Sequence, residues 1–388
     1  MRPMHICFLC NEYPPGKHGG VGSFTQTLAR ALVSRGHEVT ALGVYKATRS
    51  KVDTDCGVRV IRLARSRMPK VGFLINSLRL RQALLKIHGM SPIYAVEGPE
   101  MSLAAFPVRS PFPKIIRMNG GHHFFSITLG NKPRKARAWV EKQSFDRADG
   151  LCAVSRFVSE TTREILHLGS QPIEILPNPV DTSFFSPKPE VREEEGLIIF
   201  VGTVCEKKGI RQLIQAMPQI AEAVPGAHLL VAGRDWHDPV TGASFTESLQ
   251  SSLPPALVSR VNFIGAVEHS ALPDLLARSQ VCAFPSHMEA QGIVIVEGMS
   301  MGKAVVATNT GPGPELIQNN YSGLLCDPYN PASIAEKIVR LLKDPTLRTD
   351  LGMRARRCAL EQFSVDVLVS RNEEFYRRCV DRSGNNAA

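Results

Sequence analysis

Short apolar segments alternate along the whole chain with longer segments in which apolar residues recur at helical spacing. The apolar segments of the N-terminal half are 5–10, 38–44, 93–96, 115–118, 151–154 and 173–176, and those of the C-terminal half are 197–201, 229–232, 261–264, 281–284, 304–307 and 324–326. This alternation is typical of βαβ units, so the pattern predicts an α/β protein with two sets of parallel strands.

The clearest helical pattern spans residues 23–35. Ser23 is its predicted N-cap, because a hydroxyl at that position accepts a hydrogen bond from the first turn. Gly36 is the predicted stop.

The polar, proline-containing segment 186–196 separates the two series of strands and is predicted to be a linker. A chain of 388 residues also exceeds what one hydrophobic core usually organises. We therefore expect an N-terminal domain over 1–185 and a C-terminal domain over 197–363. Ligands bind beyond the carboxyl ends of parallel strands, and two such domains facing each other would create a central cleft.

The composition indicates a globular protein of a reducing compartment. No segment reaches the roughly 18 to 20 apolar residues that a membrane-spanning helix needs. The first residues continue directly into a strand pattern, so we expect no cleavable signal and a cytoplasmic location. The nine cysteines lie mostly in apolar segments, as buried thiols do.

The net charge of +10 belongs to the N-terminal half, where residues 1–182 carry 26 Lys and Arg against 13 Asp and Glu. The apolar and basic segment 68–88 has the character of a surface that contacts an anionic membrane. A solvated basic face is the alternative interpretation. Nucleic acid is an unfavoured partner, because no recognition motif accompanies the charge.

A glycine-rich loop follows the first predicted strand and enters the first helix. It contains Gly19 and Gly20. Such a loop brings backbone N–H groups close to an anion at the positive end of a helix dipole, although a tight turn without a ligand has the same pattern.

Two carboxylates, Glu289 and Glu297, flank an apolar stretch that follows a predicted strand. Its β-branched residues favour a strand, but the βαβ alternation requires a helix before the next strand. On this interpretation Gly292 and Ile293 begin the helix, and their N–H groups are available to a phosphate.

At these residues the chain resembles the retaining glycosyltransferases of family 4, which have the two-domain GT-B fold. The resemblance covers nearly the whole chain and is most specific in the C-terminal half. The matching stretches are Pro14-Pro15, Gly19-Gly20, Val154-Ser155, Pro177-Asn178-Pro179-Val180-Asp181, Val201-Gly202, Lys207-Lys208-Gly209, Ala232-Gly233, Phe263-Ile264-Gly265, Glu289 with Glu297, Gly302-Lys303-Ala304 and Gly323-Leu324-Leu325.

The resemblance implies two Rossmann-like domains, with the donor nucleotide sugar held by the C-terminal one. Glu297 would accept hydrogen bonds from ribose hydroxyls, and Glu289 would hold the donor sugar. Lys208, assisted by Lys207, would offset charge on the departing diphosphate. The backbone near Val267 would contact the base.

The resemblance also implies contacts from the N-terminal domain. Gly20 would approach the donor, and the acceptor would lie beside Gly19, Glu97, Glu100 and His123. A helix over 364–380 would pack back on this domain, and the tail 381–388 is expected to be disordered.

Two positions depart from the family pattern. Thr203 stands where the family usually has an arginine, so a charged clamp becomes a hydroxyl contact. Asn119 stands where the family commonly has a histidine; an amide can orient a donor sugar by hydrogen bonding but does not shuttle protons. His122 is our candidate for that role, with a structural histidine as the alternative.

The resulting hypothesis is a hexosyltransferase-type transfer that retains the anomeric configuration and needs neither cofactor nor metal. The acceptor would be a saccharide, a lipid-linked or a small molecule, as in polysaccharide biosynthesis. Two alternatives remain open: a nucleotide-sugar epimerase of the same fold, and a catalytically weakened sugar-nucleotide binding protein.

Overall fold

The computed structural model describes residues 3–16, 19–66, 68 and 71–385, with the side chains of 383–385 excepted. Its strands are β1 His5–Leu9, β2 Glu38–Tyr45, β3 Lys51–Asp55, β4 Val58–Ala64, β5 Ala95–Gly98, β6 Lys114–Met118, β7 Gly150–Ala153, β8 Ile173–Ile175, β9 Leu197–Val201, β10 His228–Ala232, β11 Val261–Gly265, β12 Val281–Phe284, β13 Ala304–Thr308 and β14 Leu324–Cys326.

The α-helices are α1 Gly20–Ser34, α2 Gly72–Met90, α3 His122–Thr128, α4 Lys135–Phe145, α5 Arg156–Leu166, α6 Ile210–Ala223, α7 Phe245–Ser251, α8 Leu272–Arg278, α9 Ile293–Ser300, α10 Gly313–Leu316, α11 Pro331–Lys343, α12 Pro345–Phe363 and α13 Val365–Asn385. Short 3₁₀ turns occupy Glu206–Lys208, Pro255–Leu257 and His269–Ala271. None of the helices in the described ranges is long and apolar enough to cross a membrane.

The chain forms two compact units, and the first is discontinuous. Unit 1 comprises Met1–Pro179 and Val365–Ala388, and unit 2 comprises Val180–Ser364. The predicted linker 186–196 therefore belongs to unit 2, and the chain passes between the units before it, at Pro179. The final helix extends to Asn385, so residues 381–385 are helical where a disordered tail was expected, and 386–388 lie outside the described residues.

Unit 1 contains an eight-stranded sheet in the order β3-β4-β2-β1-β5-β6-β7-β8. All neighbouring strands are parallel except β3 and β4, an antiparallel pair at the edge that the apolar pattern did not predict. Because β1 is fully buried and pairs with both β2 and β5, it lies at the centre of the unit's core.

Unit 2 contains a six-stranded parallel sheet in the order β11-β10-β9-β12-β13-β14. One buried cluster packs α6 and α11 against one face of this sheet. A second packs α9 and α12 against the alternate residues of the same strands, which point to the other face. The predicted fold class, two Rossmann-like α/β domains with parallel sheets, is confirmed.

Helix α13 joins unit 1 through a buried polar network. The Arg117 guanidinium donates to both carboxylate oxygens of Glu97 at 2.7 and 3.2 Å, and it also donates to Asn372 on α13. The Tyr376 hydroxyl donates to Glu97 at 2.8 Å. The buried charges of Arg117 and Glu97 are thus paired and hydrogen-bonded, which offsets the cost of removing them from water.

The start of the first helix differs from the prediction. Helix α1 begins at Gly20 with Gly19 as N-cap, and the Ser23 hydroxyl donates to the Gly19 carbonyl. Ser23 is therefore one turn inside the helix and is not its cap. The carboxylate of Glu12 accepts a hydrogen bond from Gly22 N–H at 2.9 Å and takes over the capping role.

Candidate active site

The strand order of the sheet in unit 2 reverses between β9 and β12. The loops that leave these two strands diverge to opposite faces, which opens a crevice at their carboxyl ends. The 3₁₀ turn Glu206–Lys208 follows β9, and Glu289 follows β12. Two residues singled out from the sequence are therefore placed at the position where such sheets bind ligands.

Close backbone approach fixes the loop after β9 against the loop after β12. The Lys207 carbonyl accepts hydrogen bonds from His287 N–H at 2.9 Å and from Met288 N–H at 3.3 Å. Gly209 has φ +68°, and a Cβ there would lie 1.8 Å from the Pro285 carbonyl oxygen. Only glycine fits this contact, which explains the glycine after the two lysines.

This contact brings the Lys208 ammonium onto the Glu289 carboxylate, with which it forms a hydrogen-bonded ion pair. The side chains are 19 % and 12 % exposed, so both can still meet a ligand. The buried Ser286 hydroxyl also donates to Glu289, at 2.9 Å. The Lys208 ammonium and the Glu289 carboxylate, which Ser286 helps to orient, thus lie side by side.

Helix α9 begins next to this pair. Its N-cap is Gly292, with φ +89°, and Ile293 is its first residue. No side chain caps the helix, so its first N–H groups are not taken by a side-chain acceptor. The predicted helix is confirmed against local β propensity, because the Val281–Phe284 and Ala304–Thr308 strands are parallel and need a crossover between them.

Glu297 lies one turn into α9 and is 7 % exposed. His269 approaches it, with 3.7 Å between ring Nε2 and a carboxylate oxygen. The His269 ring is stacked on Phe184 with 5.3 Å between centroids. Sequence reasoning missed both Ser286, which follows β12 closely, and His269, which lies in the 3₁₀ turn after β11. Ligand contacts are concentrated in the segments that follow strand ends.

The remaining donor-side candidates also lie in these loops. Thr203 follows β9 and is half-buried, as is Lys207 in the adjoining turn. Val267 follows β11 and is half-buried. The structure therefore gathers the predicted unit 2 residues at the carboxyl ends of β9, β11 and β12.

Unit 1 has its own strand-order reversal, between β1 and β5, and a cavity of about 1060 Å³ lies there. Its lining combines apolar and basic side chains, among them Phe73, Phe125, Arg65, Arg134 and Arg137. The cavity is large enough for a small saccharide or a lipid headgroup.

Glu100 and His122 line this cavity. Burial is the main cause that raises the pKa of Glu100 to about 8, so this carboxyl is mostly protonated at neutral pH. His122 Nε2 accepts a hydrogen bond from Arg134 N–H at 2.9 Å, and burial lowers the pKa of the ring. In the neutral ring the remaining Nδ1 then carries the proton, so His122 can donate to an acceptor but is not arranged as a base.

Two other candidates of unit 1, Asn119 and His123, have structural partners. The Asn119 amide donates to the Arg117 carbonyl at 3.1 Å and accepts from Asn178 at 3.1 Å. His123 Nδ1 contacts the buried Glu141, which also accepts the His122 and His123 N–H groups at 2.8 Å. Glu141, absent from our prediction, is therefore the acid that caps α3.

The assignment of Glu97 to the acceptor side is wrong. Glu97 lies within β5 and is 2 % exposed, because its carboxylate is turned toward Arg117 and Tyr376 inside the unit. Gly19 and Gly20 form the start of α1, where the Glu12 carboxylate already caps the helix. Across the described ranges, no group of three or more His, Cys, Asp and Glu could hold a metal ion.

Each of the two units is thus an α/β domain with a strand-order reversal and with candidate ligand-binding residues at its strand ends. Two family models match successive parts of the chain: "Glycosyltransferase Family 4" matches residues 18–184, and "Glycosyl transferases group 1" matches 181–358. The chain belongs to glycosyltransferase family 4 and has the GT-B fold.

Similar proteins span the chain almost completely. Glycogen synthase of Mycobacterium tuberculosis is 24% identical over 96% of this chain and 94% of its own length. The GDP-mannose-dependent alpha-(1-6)-phosphatidylinositol monomannoside mannosyltransferase of the same species is 26% identical over 96% and 98%. The structure of sucrose-phosphate synthase from Thermosynechococcus elongatus matches with a TM-score of 0.83 at 21% identity, over 97% and 98%.

Proposed function

We propose that this glycosyltransferase moves a hexose from a nucleotide-diphosphate sugar held by unit 2 to an acceptor held by unit 1, with retention at the anomeric carbon. The observation that carries the proposal is the Lys208–Glu289 ion pair at the strand-order reversal, beside the uncapped start of α9. The M. tuberculosis mannosyltransferase, named as GDP-mannose-dependent, supports a nucleotide-activated donor.

Each part of the donor has a matching group in unit 2. Glu297 accepts hydrogen bonds from the ribose hydroxyls, since an ionised carboxylate offers several acceptor sites and no donor. The N–H groups of Gly292 and Ile293 face the diphosphate. Thr203 adds a hydroxyl contact, and the loop around Val267 contacts the base.

Lys208 stabilises the leaving group. When the bond between the anomeric carbon and the β-phosphate oxygen breaks, negative charge grows on the diphosphate, and an ammonium already held in place stabilises it without reorganisation. Glu289 meanwhile orients hydroxyls of the donor sugar. The acceptor oxygen forms the new bond to the anomeric carbon, and its proton leaves with the diphosphate. Lys208 and α9 thereby supply the charge stabilisation that a metal ion supplies elsewhere, so the reaction is proposed to be metal-independent.

The acceptor is a saccharide, a lipid-linked or a small molecule, bound in the cavity of unit 1 beside Glu100 and His122. Neutral Glu100 and the His122 ring both offer hydrogen bonds to hydroxyls. We place the reaction in the cytoplasm, and the nine cysteines, most of them buried, support a reducing compartment.

The test is Glu289→Gln with Glu222→Gln, an exposed carboxylate on α6, as the matched control. After thermal-shift screening of UDP, GDP and ADP sugars has identified the donor, kcat of Glu289→Gln should fall roughly 100- to 1,000-fold while nucleotide affinity is kept. Wild-type kcat in Glu289→Gln would refute the assignment.

Two further measurements separate the finer claims. NMR of the product should show the anomeric configuration of the donor. Activity should persist in EDTA, and loss of activity that added Mg²⁺ or Mn²⁺ restores would refute metal independence.

A further inference from the structure

The surface of unit 1 lacks acidic groups over a long stretch of sequence. Residues 56–145 contain 16 Lys and Arg but only three carboxylates, Glu97, Glu100 and Glu141. All three are buried, at 2 %, 5 % and 1 % exposure. This stretch therefore exposes basic side chains and no carboxylate at all.

Helix α2 in this stretch is apolar on two sides. Leu80, Leu84 and Ile87 are buried against the unit. Leu74, Leu78 and Leu85 recur at helical spacing on a second stripe, ~130° around the helix, and are 41 to 55 % exposed. A surface helix needs only one apolar stripe, so the outer stripe lacks a role within the unit.

A second exposed apolar group lies in the segment that carries α3 and α4. Trp139 on α4 is 63 % exposed, and Ile127 on α3 is 45 % exposed. Basic residues surround them in sequence, at Lys132, Arg134 and Arg137. We call the outer side of α2 together with this segment the basic-apolar face.

Helix α2 and the α3–α4 segment, the two elements that carry the basic-apolar face, both contribute side chains to the cavity of unit 1. Phe73 from α2 and Arg134 and Arg137 from the α3–α4 segment line the cavity, as does Arg65. Among the described residues no carboxylate pairs with any of these three arginines. The elements that expose apolar side chains thus also supply apolar and cationic groups to the wall of the proposed acceptor site.

We propose that the basic-apolar face docks on an anionic lipid bilayer, and that the acceptor is a lipid-linked saccharide whose anionic group lies among Arg65, Arg134 and Arg137. The assignment of the cavity to the acceptor rests on the proposed function. An in-plane helix with apolar side chains in the headgroup region and cations beside them is the form that bilayer contact takes. Trp139 fits, because indole rings favour the membrane interface.

The positive charge of the basic-apolar face favours an anionic bilayer over a second copy of the chain as its binding partner. Two such faces would bring cations against cations with no exposed carboxylate between residues 56 and 145 to pair them. Each juxtamembrane basic side chain is instead worth about 1 kcal/mol near an anionic leaflet.

The first experiment uses the two tryptophans as separate reporters. In Trp236→Phe, Trp139 is the remaining tryptophan, and in Trp139→Phe the reporter is Trp236 of unit 2. Phosphatidylcholine vesicles containing about 30 mol% phosphatidylglycerol should shift Trp139 emission to the blue and leave Trp236 emission unchanged. No shift of Trp139, or an equal shift with pure phosphatidylcholine, would overturn the proposal.

The second experiment tests the outer stripe by cosedimentation with the same vesicles. Leu74→Ser/Leu78→Ser should bind at least roughly tenfold more weakly than the wild type. The control Val258→Ser/Met353→Ser changes two exposed apolar residues of unit 2 and should bind normally. Equal vesicle binding by both variants would refute a role of the outer stripe in membrane binding. Self-association that the first variant abolishes, measured by sedimentation velocity, would assign the face to a second copy.

The third experiment tests the cavity with monomeric dihexanoyl phosphatidylglycerol and dihexanoyl phosphatidylcholine. The anionic lipid should bind more tightly, and Arg134→Gln/Arg137→Gln should remove the difference, whereas Lys142→Gln, outside the cavity lining, should keep it. Equal affinities in the wild type would refute an anionic acceptor. All three readouts need no donor, so their failure is distinct from a failure of sugar transfer.

Discussion

Gly209→Ala tests whether backbone contact holds Lys208 in place beside Glu289. A Cβ at this position would lie 1.8 Å from the Pro285 carbonyl oxygen, and ordinary van der Waals contact begins at 3.4 Å. The two loops would have to separate by about 1.6 Å, the difference of these distances. In addition, the left-handed φ of +68° costs a non-glycine residue about 1–2 kcal/mol.

This displacement should matter more for transfer than for folding. Lys208 precedes Gly209 directly and reaches Glu289 only while the loop after β9 lies against the loop after β12. A misplacement of about 1 Å can cost 100-fold in rate, so we expect kcat/KM for the donor to fall at least about that far.

Gly242→Ala is the matched control. Gly242 has φ +75° in unit 2, but nothing lies within 4 Å of the position that its Cβ would take. It should therefore lose about 1–2 kcal/mol of unfolding free energy from backbone strain alone and keep full activity. The reasoning about Gly209 would be refuted if both variants showed the same denaturation midpoint and wild-type kcat/KM.

Three further changes probe other contacts. Glu97→Gln leaves the buried Arg117 charge poorly compensated and should cost about 3–5 kcal/mol in denaturant unfolding; a loss under about 1 kcal/mol would contradict the network. The Glu100 carboxyl keeps its proton in the native state up to about pH 8, whereas the unfolded chain releases it near the ordinary pKa of 4.5. The free energy of unfolding should therefore fall by about 1.4 kcal/mol per pH unit between these two values and level off at higher pH. Glu100→Gln should remove this slope, which an unchanged pH profile would refute. Ser286→Ala loses a hydrogen bond of about 1 kcal/mol to Glu289 and should lower kcat roughly fivefold at constant nucleotide affinity; a changed affinity with constant kcat would contradict it.

The places of the unit 2 candidates in the fold could be predicted from local sequence. Lys208 and Gly292 lie in the segments that follow β9 and β12, and Glu297 lies one turn into the helix that Gly292 begins. A parallel sheet brings its strand ends to one edge, whatever the remaining packing. The helix at Ile293 was predictable because the βαβ alternation outweighs the β propensity of its first residues.

The N-terminal side depended on contacts that no local pattern reveals. Glu97 was assigned to the acceptor because it comes near the end of a strand, yet its side chain is turned inward by Arg117 and by Tyr376, 279 residues away. His122 was a plausible base until the fold placed Arg134 N–H on its Nε2. Such errors arise where the partner of a polar group is distant along the chain.

The return of α13 to unit 1 has a consequence for the order in which the protein folds during synthesis. The guanidinium of Arg117 emerges from the ribosome long before Asn372 and Tyr376, so it lacks these partners while the whole of unit 2 is being made. Unit 2 is continuous and can fold first. A fragment that ends at Pro179 keeps the buried arginine but loses the helix that completes its network, so we expect it to be unstable and prone to aggregation.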